Sequence, residues 1–311
     1  MRIASLSPAE LRRRLQKNDL VVSMPPFVVR FRSNVPSLVP DFLALYAGYE
    51  LADANGFADF HVEIRYVPNL KRLFDPEIRF YFDGTPSFSV LPGQQAFPTL
   101  EWGLNWCVAA HSHHYLVIHA AVLERNGFAL IMPAPPGSGK STLCAALMMN
   151  GWRLMSDELT LYDRNTGHIY GHPRPVSLKN RSIDVISGAF PDSVMTTPVM
   201  TESKGMVALL RPPESAVISG TVPAKPRWLV LPKYEQGAEA RFERQGSART
   251  FALIAEQSFN YDLLGLDGFN AVGSLVDQCV CAKFTYSDLD EAMSLFQNIE
   301  THLHEVAGVT S

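Results

Sequence analysis

Apolar positions along the chain follow two spacings, and the spacings change in blocks. They alternate loosely at 27–31, 61–67 and 78–82, the period of a strand, and recur at helical spacing across 40–49. Asp83-Gly84 and Pro92-Gly93 mark turns between these runs. Ser7-Pro8-Ala9-Glu10 has the order of a helix start, with Ser as the cap, Pro first inside and Glu third, which leaves Arg12 to Arg14 on a solvated face. Residues 1–95 thus predict a small α+β domain with no catalytic signature. Leu100, Leu104, Cys107 and Val108 make 96–114 a helix. Beyond it the pattern predicts strands at 128–132, 152–155, 228–232 and 240–243. Helices are expected at 140–150, 249–257 and 287–304, the last beginning at Ser287. The proline-rich 211–226 is expected to be a surface excursion. Residues 96–311 form the second predicted domain.

The segment 115–133 contains two apolar runs around Glu124-Arg125-Asn126-Gly127. Asn-Gly between strands signals a two-residue hairpin turn. With Arg125 opposite Phe128, antiparallel register sets His119 opposite Ala134. The strand at 128–132 then gains an antiparallel neighbour, so its sheet is mixed. A histidine there is placed to hydrogen-bond a phosphate or to orient an acidic side chain.

Residues 128–142 read FALIMPAPPGSGKST, a strand running into a Pro/Gly loop and then a helix. This is the context of a phosphate-binding loop. Gly137 and Gly139 allow positive φ, which turns backbone N–H groups inward into an anion nest. The helix N-terminus adds its free N–H groups. Lys140 brings a point charge to the β/γ phosphates, Ser141 a hydroxyl for Mg²⁺, and Thr142 support on the α-phosphate side. Ala134 and Ser138 complete the expected nucleotide-binding set. Ala134 replaces the glycine that opens the usual pattern.

Chain length then places two carboxylates. Ten or eleven helical residues carry the chain about 16 Å from the phosphates. Six extended residues from Trp152 return it by about 20 Å, to Asp157-Glu158. Adjacent carboxylates beside a Mg²⁺-triphosphate have two natural tasks, holding the metal and accepting a proton. One of the two acids is the expected general base, and Ser141, Asp157 and Glu158 are the candidate metal ligands. Arg174, Lys179 and Lys204 lie in turn-bounded segments, from which each could reach triphosphate oxygens or an acceptor's charges.

Composition narrows the setting. Hydrophobic residues are 47% and charged residues 19%, with a net charge of −4 and no long run of one sign. That balance points to neither nucleic acid nor membrane as partner. The four cysteines, Cys107, Cys144, Cys279 and Cys281, are too few and scattered for a disulfide framework and are expected as buried thiols. No apolar stretch approaches the roughly 20 residues of a membrane span. A soluble, cytoplasmic chain is the expectation.

His119-Ala-Ala, the Asn126-Gly127 turn, PGSGKST and Gly151-Trp-Arg-Leu-Met-Ser-Asp157-Glu158 together resemble the HPr kinase/phosphorylase family. In that family a His-Gly pair precedes the loop, and an Asp-Asp pair follows the helix at the same short spacing. EWGLNWC (101–107), LMSDELTLYD (154–163), PRPVSLKNRSIDVI (173–186), SKGMVALLRPP (203–213) and SFNYDLLGLDGF (258–269) look like segments of its HPr-kinase-related kinase A group. The resemblance implies an α/β fold: an HPr-kinase-like P-loop domain with a mixed sheet, preceded by the small α+β domain. It implies Asp157 as general base and Glu158 as the second acid, and it favours Arg174 and Lys179, both in the segment 173–186, as the residues that reach the triphosphate. Here the second acid is one methylene longer than the family's Asp. The segment by which the family recognises HPr is not evident after residue 200. The implied activity is ATP- and Mg²⁺-dependent transfer of a phosphoryl group to a hydroxyl, Ser of a protein or peptide being favoured. Asp157, His119 and Lys140 are the catalytic set. A small-molecule kinase and a non-catalytic nucleotide-dependent assembly protein are the alternatives, and a homo-oligomer is compatible with each.

Overall fold

The computed structural model describes residues 1–68, 74–135 and 137–307, the side chains of 304–307 excepted. Local chemistry sets its first helix. The Glu10 backbone N–H donates to Ser7 Oγ at 3.2 Å and Pro8 sits just inside, which starts α1 (Pro8–Lys17). Strands β1 (Leu20–Met24) and β2 (Phe27–Ser33) pair antiparallel. They are followed by α2 (Leu38–Leu45), β3 (Glu50–Leu51), β4 (Phe60–Tyr66), β5 (Glu77–Phe82), β6 (Thr85–Pro86), β7 (Leu91–Pro92) and α3 (Ala96–His111). Next come β8 (Tyr115–Arg125), β9 (Phe128–Pro133), α4 (Lys140–Met149), β10 (Arg153–Ser156), β11 (Leu159–Asp163) and β12 (Ile169–Tyr170). A further run holds β13 (Val176–Lys179), α5 (Arg181–Ala189), β14 (Val199–Thr201), β15 (Gly205–Leu210) and α6 (Glu214–Ile218). The remaining elements are β16 (Lys225–Tyr234), β17 (Arg241–Arg244), α7 (Ser247–Glu256), α8 (Tyr261–Leu264), α9 (Leu266–Asp277), β18 (Val280–Tyr286), α10 (Leu289–Gln297) and α11 (Ile299–Ala307).

The elements gather into two compact units, Met1–Val108 with Arg174–Ile218, and Ala109–Pro173 with Ser219–Ser311. This division differs from a break at residue 95, and the first unit's packing shows why. Its larger sheet runs β3-β1-β2-β4-β5-β6 with β7 beside β5. The aromatic cluster on it includes Phe31, Phe42 and Tyr46, and Phe97 of α3 joins at 5.6 Å from Phe42. Leu100 and Leu104 are buried with it. Residues 174–218 add the three-stranded sheet β13-β15-β14 and an arginine that pairs inside this unit.

In the second unit the sheet order is β12-β11-β8-β9-β16-β18-β17, with β10 also on β8. Strands β9, β16 and β18 are mutually parallel, while β8 and β17 run against them. The fold is therefore mixed α/β with a mixed sheet. Leu116, Ile118, Ala120 and Val122, alternate residues of β8, share a core with Val272 and Leu275 of α9. Among the described residues no helix is long and apolar enough to cross a membrane.

Three expected elements change. The helix expected at 40–49 spans Leu38–Leu45, because Pro40 is tolerated in a first turn and needs no donor there. The final helix is two helices, broken at Asn298. Its cap is Asp288, whose carboxylate accepts from the Asp290 and Glu291 N–H groups, and not Ser287. The excursion at 211–226 contains α6 and the first residues of β16. Pro226 is accommodated there because the register of β16 against β9 shifts between Pro226 and Trp228.

Candidate functional site

The hairpin forms as its turn chemistry requires. Asn126 and Gly127 have φ of 55° and 84°, and Arg125 pairs with Phe128. The ladder closes at Ala120 opposite Pro133, so the next step brings His119 beside the start of the loop at Ala134. Past that point β8 loses β9 as a partner, and residues 257–260 take its place. The His119 N–H donates to the Gln257 carbonyl at 2.8 Å, and the Phe259 N–H to the Val117 carbonyl at 2.9 Å.

The loop leaves the carboxyl end of β9, where ligands bind in open α/β sheets. Pro136 lies outside the described residues. Gly137 and Gly139 both have positive φ, 85° and 86°. Gly139 is also crowded: a Cβ there would lie 2.5 Å from Tyr286 Oη and 2.9 Å from Tyr234 Cβ. Those tyrosines end β18 and β16. Tyr286 donates its hydroxyl to the Gly139 carbonyl at 2.9 Å, and the Tyr234 N–H donates to the Ser138 carbonyl at 2.8 Å. Strand β16, the parallel neighbour of β9, and β18, the next parallel strand beyond it, thus brace the loop from outside the segment. No local signal marks them, since their role arises from parallel pairing at long range.

Lys140 opens α4. Its side chain is 7% exposed, and Nζ has no hydrogen-bond partner among the described residues. A buried ammonium without a partner is costly, so the position demands an anion. Ser141 and Thr142 follow, half-buried. At the far end of α4, Gly151 N–H bonds the Met148 carbonyl and Trp152 N–H the Leu147 carbonyl, the paired closure of a helix ending in a left-handed glycine. The turn sends the chain straight into β10.

Asp157 and Glu158 lie between β10 and β11, which both pair with β8 in continuing register after a shift between Leu154 and Ser156. Two bonds hold this break. The His172 N–H takes the Met155 carbonyl at 2.7 Å, and the Leu159 N–H takes Ser156 Oγ at 3.0 Å. The two acids diverge from there. Ser141 Oγ donates to Asp157 Oδ2 at 3.2 Å, and Asp157 is 4% exposed. Glu158 Oε2 meets His119 Nε2 at 3.0 Å, and both side chains keep about a quarter of their exposure, 22% and 27%. Asp157 also lies near Cys144 on α4. Burial pushes that thiol well up, and the Asp157 carboxylate adds to the effect. The histidine therefore orients Glu158, where the sequence suggested a phosphate or Asp157.

The structure brings together Ala134, Gly137, Ser138, Gly139, Lys140, Ser141, Thr142, His119, Asp157 and Glu158 in one unit. Arg174 and Lys179 belong to the other unit. Arg174 is 6% exposed and donates to Glu101 Oε2 at 3.0 Å, to the Glu101 carbonyl at 3.2 Å and to Asn105 Oδ1. Lys179 ends β13, its backbone N–H bonded to Ser182 Oγ at 2.7 Å. Lys204 lies over the Trp102 ring at 4.1 Å in the same unit.

The pieces fit a magnesium triphosphate. The orphaned Lys140 ammonium supplies the charge for phosphate oxygens, and the Ser141 hydroxyl with Asp157 supplies hard oxygen ligands. Among the described residues no group of three His, Cys, Asp or Glu side chains could hold a metal. The phosphate oxygens would complete such a coordination sphere.

No protein-family model matches the chain, and no curated protein matches it. A solved structure, the Hpr(Ser) kinase/phosphatase from Coxiella burnetii, is similar at 10% identity and a TM-score of 0.27, covering 60% of this chain and 97% of that one. The functional reading therefore rests on the site's own geometry.

Proposed function

We propose that the protein is an ATP-dependent phosphotransferase of the P-loop type, moving the γ-phosphoryl group to a hydroxyl of a protein or peptide with Mg²⁺. The observation that carries this reading is the buried, unpartnered Lys140 ammonium inside a braced glycine loop, with two carboxylates returned to its side. Mg²⁺ would neutralise charge on the triphosphate, held from the protein side by Ser141 and Asp157. The loop N–H groups and Lys140 hold the phosphates and stabilise the charge that develops in transfer.

The two acids then divide the work. Asp157 is buried and bonded to the metal-side hydroxyl. Glu158 is more exposed and oriented by His119, so it can meet an acceptor. This moves the proton-accepting role from Asp157, where the family resemblance put it, to Glu158. The acceptor oxygen bonds to the γ-phosphorus, the bond from that phosphorus to the β–γ bridging oxygen breaks, and the electron pair leaves with ADP. The acceptor proton goes to Glu158, a step worth about 10²–10⁴-fold in rate.

The test is transfer of labelled γ-phosphate into a lysate or a peptide mixture. Glu158→Gln is expected to bind Mg²⁺-ATP with unchanged affinity and to lose transfer by about 10²-fold or more. Asp157→Asn is expected to lower the affinity for Mg²⁺ as well as the rate. Transfer that is unchanged by both substitutions and by Lys140→Ala would not arise at this site, which would end the kinase reading and leave a nucleotide-sensing protein.

A further inference from the structure

The second unit carries an unusual exposed surface that starts at the site. Among the described residues, four of the twelve exposed large apolar side chains fall between 259 and 269: Phe259 (55% exposed), Leu263 (68%), Leu266 (74%) and Phe269 (53%). Scattered single exposures are ordinary, but this concentration in one short stretch is not. The stretch is not loosely attached. Gln257 and Phe259 are hydrogen-bonded to the edge of β8, and Asn260 bonds both the Val117 N–H and the Tyr115 carbonyl. Tyr261 and Leu264 pack beneath it against the core. On α9, Leu266 and Phe269 are one turn apart and share a face. The Phe259 ring lies 5.9 Å from the ring of His119, the residue that orients Glu158.

The charged side chains of the segment itself have one sign. Residues 250–282 contain Glu256, Asp262, Asp267 and Asp277 and no Lys, Arg or His. Asp267 is matched by Arg164 at 3.1 Å. Exposed acids flanking the apolar anchors along the chain complement a basic partner and disfavour both an anionic membrane and a second copy of the same segment.

Building on the phosphotransferase reading, we propose that Phe259, Leu263, Leu266 and Phe269 dock the acceptor, a polypeptide segment whose apolar side chains are flanked by Lys or Arg and which presents its hydroxyl to Glu158. The apolar anchors hold the segment, the flanking acids select its charge, and the contact between Phe259 and His119 brings it to the proton acceptor.

The experiment measures binding of two fluorescent peptides to the full chain without nucleotide. One carries Leu, Phe and Ser among Lys and Arg; the other has every basic residue replaced by Glu. The basic peptide is expected to bind at least tenfold more tightly. Leu263→Asp/Leu266→Asp is expected to weaken it by at least tenfold, and Leu263→Ser/Leu266→Ser by less, with circular dichroism reporting the fold of each. Equal binding of the two peptides would overturn the proposal, as would indifference to both substitutions. So would loss of self-association in the variants by sedimentation, or binding of anionic vesicles through this face. Because binding is read without ATP, its outcome is separate from catalysis. Peptide capture without transfer would sink the phosphotransferase reading alone. Transfer that is undiminished in Leu263→Asp/Leu266→Asp would sink the docking surface alone.

Discussion

Each unit buries a cation, and the two are treated in opposite ways. In the first unit Arg174 is surrounded by acceptors: the Glu101 carboxylate and carbonyl, and Asn105. Tyr46 donates to the same carboxylate. Only Nε of that guanidinium lacks a partner among the described residues. In the second unit Lys140 is as deeply buried, yet its ammonium meets no acceptor, although Asp157 and Glu158 have been carried back toward the loop. Those carboxylates are bonded to Ser141 and His119 instead. A closed ion pair secures the fold, whereas an open cation is held in reserve for a ligand. Burial alone does not separate the two cases. The presence or absence of partners does.

Removing Arg174 breaks the comparison most forcefully. Arg174→Met leaves Glu101 buried without its counter-ion and is expected to cost about 3–5 kcal/mol of stability. Burial already pushes the Glu101 carboxyl above its ordinary value. An acid raised in the folded state is harmless below its unfolded value and costs stability as pH rises through the folded one. The loss should therefore be greatest at alkaline pH and smaller in mild acid, and Arg174→Met/Glu101→Gln should recover part of it. Urea unfolding at several pH values measures this. Nucleotide affinity of the folded fraction should not move. A loss of ATP binding with intact stability would return Arg174 to the phosphate-binding role expected from the sequence.

Lys140→Met sharpens the other side. It is expected to reduce phosphoryl transfer by about 10²–10³-fold, the scale of one lost donor to a developing charge. Stability should stay level or rise, because an unpaired buried charge has been replaced by an apolar chain of similar length. The labelled-phosphate transfer assay and a melting curve on the same sample are sufficient. A loss of more than about 2 kcal/mol would mean that the ammonium supports the fold and that the contrast with Arg174 is false.

A third, smaller effect separates two glycines of the loop. Gly137 and Gly139 share nearly the same φ, but a Cβ on Gly137 meets nothing within 4 Å among the described residues while one on Gly139 strikes the tyrosine brace. Gly137→Ala should cost only the conformational penalty of about 1 kcal/mol. Gly139→Ala adds a clash and displaces the loop from Tyr286, for about 1–3 kcal/mol in all, with a clear fall in nucleotide affinity. Equal affinities in the two variants would deny the brace any part in shaping the loop.

What could be read from the sequence was local. The Asn126-Gly127 turn fixed the hairpin register, and with it His119. Helix length and Gly151 brought Asp157-Glu158 back, because rise per residue is a property of the backbone alone. What escaped was set by distant pairing. Tyr234 and Tyr286 reach the loop only because β16 aligns beside β9 and β18 beside β16, and Glu101 finds Arg174 across 73 residues of chain. The histidine's partner was missed for a finer reason. Adjacent acids at a strand break diverge, and which one turns to His119 depends on the bonds from Ser156 and His172 that hold the break.

Asp41 supplies a weaker, intermediate case. It stands in the first turn of α2 and lines a cavity of about 400 Å³ with Thr196, Thr197, Met200 and Met206. Partial burial raises its carboxyl to about 6. As with Glu101, the raised value means that the fold loses stability as pH climbs from the ordinary aspartate range through 6. The shift alone would correspond to about 3 kcal/mol. The group is half-exposed, and its charge is favourable at a helix start, so about 1 kcal/mol is expected to remain. Asp41→Asn should therefore raise the unfolding free energy of the first unit by about 1 kcal/mol at pH 8 and leave it unchanged at pH 4. An equal gain at both values would mean that the amide improves packing in the cavity. No gain at either would mean that the carboxylate is already satisfied, and that the first unit, unlike the second, leaves no buried charge waiting for a partner.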